Sequence, residues 1–66
     1  MTIRLNGENI DARGAKTVRE LVERYNFPPK TVLIEHNGVA LHQREWADRD
    51  LAEGDRVELL RVVAGG

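Results

Sequence analysis

Polar and apolar residues alternate over Thr2-Ile3-Arg4-Leu5-Asn6, so Ile3 and Leu5 share the inner face of a strand. Asn6-Gly7 follows, a pair that tolerates positive φ at both central positions of a tight hairpin turn. Glu8 to Ala12 then returns as a short second strand with Ile10 facing in. Arg13-Gly14-Ala15-Lys16 breaks the alternation.

From Thr17 the period lengthens. Thr17-Val18-Arg19-Glu20 has the form of a capping box, in which the hydroxyl serves an orphan N–H and the glutamate reaches back. Val18, Leu21, Val22 and Tyr25 fall at i, i+3, i+4 and i+7, which predicts a helix with one apolar face against a sheet. Arg19–Glu23 and Glu20–Arg24 are spaced to pair on its wet side. Asn26-Phe27-Pro28-Pro29 ends it, since proline cannot continue a helix and restricts its predecessor. Phe27 is placed to close the end of the core.

Thr31-Val32-Leu33-Ile34-Glu35 is β-forming and more continuously apolar, the signature of a central strand. Asn37-Gly38 predicts a second turn and Val39-Ala40-Leu41 a short strand. Gln43 to Asp48 predicts a brief helical turn that packs the Trp46 indole under the sheet. Glu53-Gly54-Asp55 is a third turn, and Arg56 to Val62 the last strand. Alternation there places Val57 and Leu59 in the core and leaves Leu60 and Val62 on the opposite face. Those two either cover the core's edge or form an apolar patch for a partner, and we take them as a docking patch. The order ββαβ(β)β, one helix crossing a mixed four- to five-stranded sheet, predicts an α+β fold of the ubiquitin-like β-grasp type.

Sixty-six residues make one domain, assigned here to residues 1–62, followed by a glycine-ended tail over 63–66. The chain has no cysteine, so disulfides, thiol nucleophiles and cysteine-held metals are excluded from its own side chains. Net charge is −1, which argues against a nucleic-acid binder. Residues 1–33 hold six basic and four acidic side chains, and residues 34–66 hold four and seven. The acidic share therefore falls in the half leading to the tail, where it can steer a basic partner or simply be solvated. No signal peptide or long apolar run opens the chain, so the expectation is a cytoplasmic protein that is monomeric when free and has no membrane role.

Side-chain catalysis finds no support in the residues. His36 and His42 lie too far apart for an i,i+4 pair and have no cysteine or paired carboxylate beside them, so both are expected at the surface or in turns. The chain lacks serine, which removes a serine-centred triad. No glycine-rich phosphate loop occurs, so any ATP must be bound by a partner. A single indole without basic neighbours is a weak stacking platform, and Trp46 is expected in or beside the core.

The remaining feature is Val62-Val63-Ala64-Gly65-Gly66. Glycine has no Cβ, so Gly65 and Gly66 can thread a slot too narrow for other residues, and Ala64 keeps the approach thin. Together with Asn6-Gly7-Glu8, Thr17-Val18 with Leu21, Asn37-Gly38, Glu45-Trp46 and Leu51-x-Glu53-Gly54-Asp55-x-Val57, this ending resembles the ThiS family of bacterial sulfur carriers in thiamin biosynthesis. The likeness runs the whole length of the chain. It departs at Val39-Ala40-Leu41-His42-Gln43-Arg44, where a Val-Pro-Arg segment is usual, and at His36, where an apolar residue is usual.

The resemblance implies a carrier that is acted upon, not an enzyme, and no cofactor bound by the chain. A ThiF-like adenylyltransferase would spend ATP to activate the Gly66 carboxylate as an acyl-adenylate. A persulfide sulfur from a cysteine desulfurase system would then replace the adenylate to give a thiocarboxylate. Thiazole synthase, ThiG, would draw on that sulfur. Two alternatives stay open on the residues alone. One is a carrier resembling MoaD, the small subunit of molybdopterin synthase, or one feeding another acceptor. The other is a β-grasp interaction module or protein modifier.

Overall fold

The computed structural model describes residues 1–62. Strands β1 (Thr2–Leu5) and β2 (Glu8–Asp11) form the first hairpin, and β3 (Val32–His36) and β4 (Val39–Leu41) the second. Both close through Asn-Gly pairs with positive φ, 51° and 83° at Asn6-Gly7 and 50° and 85° at Asn37-Gly38. These angles suit the twist of the flanking strands, which is why so short a loop suffices. Helix α1 (Val18–Arg24) lies between the hairpins in sequence, and β5 (Arg56–Arg61) follows both. Two 3-10 turns, Pro29–Thr31 and Gln43–Asp48, complete the elements.

The five strands form one mixed sheet in the order β2-β1-β5-β3-β4. β1 runs parallel to β5, and every other pairing is antiparallel. β5 therefore occupies the middle, with β3 beside it, whereas the sequence pointed to Thr31–Glu35 as the central strand. Val32 and Ile34 are buried in the core, but Leu33 between them faces solvent on the other side of the sheet.

Ile3, Val18, Leu21, Val22 and Val57 are the large side chains wholly removed from water. Burial of each contributes about 1.5–3 kcal/mol, and together they pack α1 onto one face of the sheet. The capping box forms as the sequence indicates: Glu20 N–H donates to Thr17 Oγ1 (3.2 Å), and Thr17 N–H to Glu20 Oε1 (3.1 Å). Lys16 N–H donates to the same carboxylate oxygen at 2.8 Å. Glu20 is thus committed to the helix start and forms no pair with Arg24. Arg24 donates instead to the carbonyls of Asp11 (2.9 Å) and Arg13, closing the loop after β2. The Arg19–Glu23 pair does form, at 3.5 Å.

Tyr25 departs from its expected place on the buried helix face. It is the C-cap residue, exposed, with Asn26 beyond it at φ 56°. Its ring stacks on Phe27 at 6.2 Å between centroids, and Phe27 packs against the core's edge. Trp46, 3% exposed, joins the core from the second 3-10 turn. That segment is held to α1 by Val18 N–H donating to Arg49 O (2.9 Å) and Leu51 N–H to Lys16 O (2.8 Å).

Candidate docking site at the end of β5

One face of the sheet carries α1, and the other is open. On the open face, antiparallel pairing of β3 with β5 sets Leu33 opposite Leu60 and Glu35 opposite Glu58. Leu33 is 57% exposed, Leu60 64% and Val62 45%. Apolar side chains this exposed and this close together are what a partner surface covers, since a lone exposed leucine is ordinary but a contiguous set is not.

The strand that presents them is firmly held. Val62 N–H donates to Thr31 O at 2.6 Å, so the β3 side of β5 stays paired to the last described residue. The Arg61 guanidinium lies 4.8 Å from the centre of the Phe27 ring, which ties the strand end to the segment that follows α1. On the other side β1 turns away after Leu5, and the Asn6 side chain replaces the missing backbone. Its Nδ2 donates to Leu59 O (3.0 Å) and its Oδ1 accepts from Leu59 N–H (2.7 Å), as a further strand residue would. Asn6 N–H meanwhile donates to Val57 O at 2.9 Å.

At the opposite end of β5, His36 corrects the expectation of a surface or turn histidine. It is 6% exposed and its ring Nε2–H donates to Asp55 Oδ2 at 2.8 Å. The same carboxylate accepts from Ala52 N–H (2.8 Å) and Asn37 Nδ2 (3.1 Å). Burial pushes the Asp55 carboxyl up, but the bonds from His36, Asn37 and the Ala52 amide outweigh it and hold the group below its ordinary 3.8. Asn37 Oδ1 accepts from Arg56 N–H (2.9 Å), so the second hairpin turn and the Glu53-Gly54-Asp55 turn are tied together where β5 begins. The other ring nitrogen of His36 is buried without a hydrogen-bond partner. His42 is exposed, as expected, ahead of the Gln43–Asp48 turn, where its N–H donates to Glu45 Oε1 (2.7 Å).

Leu60 and Val62 thus stand on the open face, as alternation in β5 indicated. Ala64, Gly65 and Gly66 lie outside the described residues. Leu33, Glu35 and Glu58 were not singled out by the sequence. Alternation along Val32 to His36 contained the signal, but only the register against β5 shows that Leu33 extends the Leu60 patch.

A model of the ThiS family matches residues 3–66. The sulfur carrier protein ThiS of Escherichia coli (strain K12) is 27% identical over 66 residues, the full length of both chains. ThiS of Bacillus subtilis (strain 168) is 25% identical over 65 residues, covering 97% of this chain and 98% of the relative. The crystal structure of the thiamine biosynthesis protein ThiS from Geobacter metallireducens superposes over all of both chains with a TM-score of 0.81 and 29% identity.

Proposed function

The chain belongs to the ThiS family, and from that premise we propose that it is a sulfur carrier whose Gly66 carboxylate is the site of attachment. The observation that carries this reading is the full-length likeness to the ThiS carriers joined to the Gly65-Gly66 ending. An α-carboxyl with a pKa of about 3.3–3.7 is ionised at neutral pH and resists nucleophiles, so it needs activation from outside. A ThiF-like adenylyltransferase binds the ATP. The Gly66 oxygen displaces pyrophosphate to give the acyl-adenylate, and the terminal sulfur of a persulfide attacks the acyl carbon as AMP leaves. A thiol then reduces the remaining S–S bond and frees the thiocarboxylate, from which thiazole synthase takes the sulfur.

This chain contributes reach and docking. Residues 63–66 extend at most about 13 Å at roughly 3.3 Å each, so the domain must sit at the mouth of the partner's active site. Leu60 and Val62, with Leu33, supply the surface that seats it there. Ala64 and Gly65 keep the thread thin enough to enter. Intact-protein mass spectrometry after incubation with a ThiF-type enzyme, ATP and a persulfide donor tests the reading. The expected result is a mass gain equal to replacement of one oxygen by sulfur, lost when Gly66 is removed. No gain with a demonstrably active enzyme would overturn it.

A further inference from the structure

The open face holds more than an apolar patch. Glu35 and Glu58 are direct cross-strand neighbours on β3 and β5, two residues along each strand from the Leu33–Leu60 pair and so on the same face. Side chains so placed have Cβ atoms about 4.5–5.5 Å apart, and like charges there oppose the fold. Neither carboxylate has a cation within ion-pair distance among the described residues. Arg4 and Arg56 pair with each other's strands one row further along and make no bridge to them. The two glutamates, the two leucines, Ala40 and Asn6 line one hollow of about 450 Å³. On its β4 side stands Ala40, the cross-strand partner of Glu35, whose side chain ends at Cβ and leaves room there.

We propose that this hollow receives an arginine side chain of the adenylating partner, with its stem on Leu33 and Leu60 and its guanidinium between Glu35 and Glu58. This rests on the carrier reading above and adds the chemistry by which the partner is chosen. Two carboxylates facing one another across a strand pair offer acceptors to both edges of a planar fork, a bidentate geometry that an ammonium, a point charge, does not match. The aliphatic part of arginine lies along apolar surface while its head stays with the charges, matching the leucine-then-glutamate order of the hollow. A cation arriving there also relieves the repulsion that the free protein carries. The acidic pair therefore acts in recognition and on-rate, and the leucines in residence.

The test is steady-state adenylation, read as pyrophosphate release with a ThiF-type enzyme and saturating ATP, with the carrier titrated at low and high salt. Glu35→Gln combined with Glu58→Gln keeps shape and removes both charges. The expected result is a KM for the carrier raised about tenfold at low salt, a flattened salt dependence, an unchanged kcat and a thermal midpoint equal to or above that of the parent. An unchanged KM and salt dependence, with the parent carrier active, would overturn the arginine site and leave the carrier reading standing. Absence of pyrophosphate release with the parent itself would overturn both. A fall in kcat with KM unchanged would also sink the proposal, because a docking site outside the reacting atoms should not act that way.

Discussion

Asn6 offers a clean test of how the site's strand is held. Asn6→Gly removes the side chain yet keeps the backbone free to adopt the positive φ of 51° that the hairpin demands. The variant loses the two bonds to Leu59, at 3.0 and 2.7 Å. Each is worth about 0.5–1.5 kcal/mol net, with up to about 3 kcal/mol if the freed backbone group stays dry. The site is only partly buried and borders the hollow on the open face, so water reaches the freed groups and the lower figures apply. The expected loss is about 1–2 kcal/mol, and at about 4–8 °C per kcal/mol for a domain of this size it lowers the midpoint by roughly 4–16 °C. Urea titration with an unchanged m-value measures the energy. Amide exchange locates it, because Leu59 N–H should lose protection while Val62 N–H, bonded to Thr31, keeps it. A loss below about 0.5 kcal/mol, less than one net hydrogen bond, or equal loss of protection at both amides, would refute the idea that Asn6 completes the ladder.

Three further outcomes are expected. Leu60→Glu should weaken docking to the adenylating enzyme by about tenfold or more, the cost of one buried leucine at an interface, with little change in stability because Leu60 is 64% exposed; unchanged affinity by calorimetry would remove the patch. Asp55→Asn should flatten the acid limb of the stability curve. The folded carboxyl sits below 3.8, so its contribution is present above that value and is lost as pH falls through the folded pKa; identical urea midpoints against pH for variant and parent would refute this. Deleting Gly65-Gly66 should abolish thiocarboxylate formation and leave the thermal midpoint in place, since the buried core of the described residues lies between Ile3 and Leu59; a large drop in the midpoint would make the tail structural.

What the sequence revealed was local chemistry. Asn6-Gly7 and Asn37-Gly38 specify their turns by the φ they permit, and Thr17 with Glu20 specifies the helix start through atoms three residues apart. Exposure of Leu60 and Val62 follows from alternation once β5 is recognised, and the indole of Trp46 goes where its apolar area sends it. The misreadings share a cause in partners distant along the chain. His36 is buried because Asp55 meets its ring, a contact nineteen positions away. Glu20 could bond the helix start or Arg24, and the backbone donors nearby won. Tyr25 fits the helical period, but the helix ends before it. Leu33 lies within an apolar run that suggests burial on both faces, yet only one face of this sheet is covered.

The place of β5 in the sheet has a consequence for how the molecule is made. Each hairpin joins strands adjacent in sequence, but β1 and β3 have no ladder to each other; β5 lies between them. As the polypeptide leaves the ribosome, both hairpins emerge first, each with an inner edge of unpaired N–H and C=O groups. The gap closes only when the last strand arrives, and its parallel pairing with β1 joins Arg4 to Arg56. Such distant pairing is slower than the closing of a local hairpin, because the loop-closure entropy must be met before the long-range contacts form. During that interval the open slot can accept the equivalent strand of another nascent chain and produce a swapped dimer. Crowded synthesis at high expression should therefore yield a dimer fraction that low expression, or refolding at high dilution, does not.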